Sequence, residues 1–141
     1  MTSFERLKAE TQAAQRYILS APIVEDVMTG RFDLDTYARF LTNAYHHVRH
    51  TVPLMMACGA RLSDRLQWLL PSLREYIDEE IGHDAWVLDD LAACGVPRTV
   101  SMASRPDHTV EVMVAYVYDY INRVNPIGLL GMVHVLEGTS T

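Results

Sequence analysis

Cysteine is scarce in this chain. Cys58 and Cys94 are its only two in 141 residues, and no C-x-x-C pair occurs, which excludes a paired-thiol redox motif. Both lie within helical patterns and read as small core residues, so a reducing cytoplasm is the expected location. No apolar run approaches the ~20 residues of a membrane span. The polar N-terminus has no apolar h-region, so no signal peptide is expected. No basic cluster is present and the net charge is −6; nucleic-acid binding, which needs a positive footprint, is excluded on that ground. Strand-period segments, internal repeats and low-complexity tracts are also missing. What remains, 49% apolar and 21% charged residues, is the composition of a soluble globular protein. Residues 1–141 are expected to form one domain with a core of its own.

Helical spacing runs through nearly all of the chain. Phe4, Leu7, Thr11, Ala14 and Ile18 mark a helix from Ser3 to Leu19, with Ser3 as its N-cap. Pro22 and Gly30 bracket a short helix over Ile23 to Thr29. Asp33 caps a long helix from Leu34 to about Leu62, kinked at Pro53. Pro71 separates a segment over Asp64 to Leu70 from a second long helix, Ser72 to Cys94, which Gly95 ends. Val96 to Asp107 reads as the main loop. Val110, Met113, Val114, Val117, Ile121 and Val124 trace a helix to about Arg123, and a last apolar helix covers Ile127 to Glu137. The fold class is an all-α bundle.

The second long helix carries Glu80-x-x-His83. Residues three apart share a helix face, so one ion can take both side chains, and this spacing is a signature of carboxylate-bridged di-iron bundles. At about 100° per residue, Glu80 falls inside the arc of Leu73, Ile77, Ile81, Val87, Leu88 and Leu91, and His83 at its edge. A lone buried carboxylate costs several kcal/mol unless a cation or hydrogen bonds compensate. A metal is the most economical partner for Glu80. On solvated helices, by contrast, E-x-x-H is a common surface pair.

Other candidate ligands are weaker. With Val48 as reference, His47 falls among Phe40, Ala44, Leu54 and Cys58, whereas His46 and His50 share the opposite, polar face. His47 is therefore the histidine expected to look into the bundle, as a ligand or as a hydrogen-bonded core residue. Glu137 ends an almost wholly apolar helix, which suits a bridging carboxylate or a frayed end. His108 and His134 have no assigned role. Tyr76 lies about 20° from His83 and is a candidate redox-active group or a plain core tyrosine.

Three stretches, Tyr-His-His-Val-Arg-His-Thr-Val-Pro-Leu (45–54), Glu-Glu-Ile-Gly-His-Asp-Ala-Trp-Val-Leu-Asp-Asp (79–90) and Asn-Pro-Ile-Gly-Leu-Leu-Gly-Met-Val-His-Val-Leu-Glu-Gly-Thr-Ser (125–140), follow in the order and spacing of one family. Together they resemble the heme-oxygenase-like di-iron oxidases, or iron-containing redox enzymes. The resemblance implies a heme-oxygenase-like helical bundle in which one or two non-heme iron ions activate O₂. It places iron on Glu80, His83 and Glu137, with an early-helix ligand near His46 or His47; the angular argument selects His47. The heme ligand of true heme oxygenases would fall at Gln15, so no heme is expected. Relatives continue into an Asp-x-x-x-His ligand pair that does not occur before Thr141. The expectation is a fragment, a site completed by another chain, or a degenerate site. The implied function is an O₂-dependent iron oxidase or oxygenase acting on a small organic substrate, with a homodimer as the expected assembly. Two alternatives are a metal-free binding or biosynthetic protein of the quinone-cofactor-synthase type and a non-catalytic helical dimer.

Overall fold

The computed structural model describes residues 1–139; Ser140, which closes the third matching stretch, and Thr141 lie outside the described residues. The described chain is all-α, as expected, and it divides into two compact units.

The first unit comprises Met1–Phe32 with the described residues from Ile127 onward. Its helices are α1 (Ser3–Leu19), α2 (Pro22–Met28) and, near the chain end, α9 (Gly128–Glu137). Thr2 rather than Ser3 caps α1. Its hydroxyl accepts from the Glu5 N–H at 3.2 Å while Glu5 Oε2 accepts from the Thr2 N–H at 2.6 Å, a reciprocal capping box. α1 packs on α9. Gln15 Nε2 donates to the His134 carbonyl at 3.2 Å, and the Phe4 ring meets His134 edge-on at 5.9 Å.

The second unit, Asp33–Pro126, contains α3 (Leu34–Val48), α4 (Thr51–Ala60), a 3-10 turn (Asp64–Leu69), α5 (Leu70–Glu80), α6 (His83–Ala93), α7 (Arg98–Ala103) and α8 (His108–Asp119). Asp33 caps α3 as expected. Its carboxylate accepts from the Thr36 N–H at 2.7 Å, which holds the acid below the ordinary carboxylate range. Leu41 and Tyr45 of α3 pack with Leu88 and Leu91 of α6 in one buried cluster. α4 contributes Leu54, Met55 and Cys58, and α8 contributes Val114 and Val117. Burial raises the Cys58 thiol above its usual range, which fits the core role assigned to it.

Both expected long helices are interrupted. The first stops at Val48 and resumes at Thr51. Pro53 lacks the N–H that would bond back to Arg49 and crowds that carbonyl, so the break falls one turn ahead of the proline. The second stops at Glu80. Ile81 is extended, at φ −61° and ψ 122°, and Gly82 is left-handed at φ 95°. The expected loop over Val96 to Asp107 contains α7, a helix of few large apolar residues with Ser101 buried. After α8 the backbone widens into a π turn over Tyr120–Val124, and the Asn125 N–H bonds the Tyr120 carbonyl at 2.9 Å ahead of Pro126. Asn43 anchors α3 to the start of α8. Its Nδ2 donates to Asp107 Oδ2 at 2.8 Å, and its Oδ1 accepts from the Asp107 N–H at 2.9 Å.

Candidate functional site

Glu80 is the last residue of α5 and His83 the first of α6. The turn between them brings Glu80 Oε2 within 2.9 Å of His83 Nδ1. The Glu80 side chain is only 13% exposed and that of His83 31%. The expected pairing is therefore present, although a helix break and not one continuous helix positions it. The break also changes the neighbours. Ile81, expected on the apolar arc, is 60% exposed, while the indole of the exposed Trp86 covers His83 at 4.4 Å between ring centroids.

A cavity of about 220 Å³ opens beside Glu80, lined also by Val48, Arg49, Val52, Gly82 and Asp84. The pair offers one carboxylate and one imidazole, a mixed O/N donor set suited to iron. Their 2.9 Å separation is that of a hydrogen bond between the two groups. Among the described residues, no group of three or more His, Cys, Asp or Glu is assembled that could hold an ion.

The early-helix histidines depart from the angular expectation. His46, expected on the solvated face, is buried, whereas His47, expected to look inward, is half-buried. The reason lies in the break at Arg49 and His50. Leu54 and Cys58, used to define the apolar arc, stand beyond it and share no helical frame with His47. α7 then covers His46. The Ser104 hydroxyl donates to the Ser101 carbonyl at 2.6 Å, so its oxygen accepts the Nε2–H of His46 at 2.8 Å. His50 Nδ1 and the Tyr118 hydroxyl are 3.1 Å apart. Burial lowers the pKa of His46, His47 and His50, and neighbouring Arg49 or His50 adds to the effect in each case.

His46 and His50 open onto a second cavity, of about 450 Å³, together with Arg49, Ser104, Glu111 and Tyr118. Sequence reasoning missed it. The only signal was the repeated histidine at 46 and 50, which read as solvated. Tyr76 is half-buried on α5. Glu137, read as a bridging carboxylate or a frayed end, is exposed in the last turn of α9.

The described chain is thus an all-α fold in which a carboxylate of low exposure meets an imidazole across a helix break. The chain belongs to the heme-oxygenase-like family of iron-containing redox enzymes, whose model matches residues 38–141. Searches of curated proteins and of solved structures found no match. Among the described residues no helix is long and apolar enough to cross a membrane.

Proposed function

We propose that this protein is a non-heme iron, O₂-dependent oxidase or oxygenase of a small organic substrate, with Glu80 and His83 as its central iron ligands. The observation that carries the reading is the Glu80 carboxylate, 13% exposed and 2.9 Å from the imidazole of His83. Family membership supplies the iron and the redox class. His47 and Glu137 are proposed as further ligands, and manganese is the ion that the same donors would also accept. Gln15 supports the non-heme assignment, because its amide is engaged with the His134 carbonyl.

When bound, iron would supply a route by which electrons pass from the organic substrate to dioxygen, so that the substrate is oxidised as oxygen is reduced. The chain's own groups do the rest. Glu80 would offer a carboxylate oxygen to a cation in a partly dry setting. His83 would offer a ring nitrogen as the second donor beside it. Trp86, stacked on the His83 ring, limits its rotation and shields it from water. Tyr76 is proposed as a redox-active side chain on the same helix as Glu80.

A metal-free binding protein is the competing reading, favoured by the hydrogen bond that already partners Glu80 with His83. Anaerobic incubation with Fe(II), desalting and metal analysis separate the two. About one or two irons per chain, retained by wild type and lost in Glu80→Ala and His83→Ala, support the oxidase. A transient visible band on admission of air supports O₂ chemistry. No retained iron in wild type refutes the proposal and leaves the metal-free reading.

A further inference from the structure

The larger cavity, bordered by the end of α3, by Ser104 after α7 and by α8, has a polar side and an apolar side. Its volume of about 450 Å³ lies in the range of small-molecule sites. On the polar side stands Arg49, whose guanidinium lies 5.5 Å from the centroid of the buried Tyr45 ring. Arg49 is exposed, and the ring attracts its cation without neutralising it. Among the described residues no carboxylate lies within ion-pair distance of Arg49. His50 and Tyr118, hydrogen-bonded to each other, add polar groups beside it. Pro106, Val110 and Val114 form the apolar side.

We infer that this cavity binds a small organic monocarboxylate, with the carboxylate on Arg49 and the hydrocarbon part against Pro106, Val110 and Val114. A planar guanidinium presents a fork of donors that matches a carboxylate in bidentate fashion. Glu111, exposed at the cavity, sets the charge limit: it repels a second negative charge, which disfavours a phosphate dianion. Arg49 also lines the smaller cavity at Glu80, so one side chain borders both spaces. The inference stands on the cavity and does not require iron.

The test is calorimetric titration of the metal-free full chain with acetate, butanoate, hexanoate, hexanamide and inorganic phosphate. Wild type should bind hexanoate saturably, each methylene tightening binding by up to about fourfold. Hexanamide, and hexanoate with Arg49→Met, should bind about tenfold more weakly or worse. Arg49→Lys should fall between, since it keeps the charge and loses the fork. Glu111→Gln should improve phosphate binding. Absence of saturable hexanoate binding, equal affinity for hexanamide, or phosphate as tight as hexanoate would each overturn the assignment. So would an Arg49→Met variant that is folded by circular dichroism and unchanged in affinity. Should Arg49→Met fail to fold, Arg49→Lys and the acid–amide comparison on wild type decide. Iron retention by Glu80→Ala is measured separately, so failure of one proposal is not failure of the other.

Discussion

Replacing Gly82 with alanine isolates the backbone conformation that sets Glu80 beside His83. Gly82 has φ 95°, and a Cβ built there meets nothing within 4 Å. The substitution therefore adds no clash, only the strain of an L-residue in the left-handed region, about 1–2 kcal/mol. Alanine also stiffens the unfolded chain, which returns about 0.4–1 kcal/mol. The net expectation is a loss of about 1 kcal/mol, or about 2–4 °C in Tm for a chain of this size. Gly82→Asn should lose less, because asparagine tolerates that conformation. Gly131 is the opposite case: it lies inside α9 with nothing within 4 Å of its Cβ position. Gly131→Ala removes helix-interior glycine and should add about 0.5–1 kcal/mol. Urea unfolding followed by far-UV circular dichroism reads both, with midpoints shifted in opposite directions and slopes unchanged. If the two units unfold in separate steps, each substitution should move the step of its own unit. A Gly82→Ala midpoint equal to or above that of wild type would refute the left-handed link.

Leu91, 0% exposed at the α3–α6 contact, should lose about 2–5 kcal/mol on replacement by alanine, read from the same transition. Acid should destabilise the metal-free protein. Burial depresses His46, His47 and His50 below their ordinary 6.5 in the folded chain, so on acidification the unfolded chain takes up protons first. Stability should be complete above about pH 6.5 and fall progressively below it. His46→Gln should flatten that fall; a midpoint independent of pH between 7 and 5 would contradict the assignment.

Local chemistry was enough to read much of this chain. Asp33 before an apolar-periodic run, Pro22 at a first turn and Gly95 past a last one mark helix ends because capping and backbone restriction act within a few residues. The all-α class and core residues such as Leu88 and Leu91 follow from periodicity. The approach of Glu80 and His83 was legible for a related reason: three residues apart, the two stay close even when the helix between them breaks.

Longer-range facts were settled only by packing. A glycine inside a helical pattern costs about 1 kcal/mol, too little for sequence to decide whether Gly82 continues the helix or turns it. The angular placement of His46 on the solvated face failed because it carried one helical frame across the break at Arg49 and His50. Burial of His46 depends on Ser104, 58 residues away, and the cavity at Arg49 depends on where α8 docks. Such placements arise from contacts between distant segments, whose free energy no local pattern encodes.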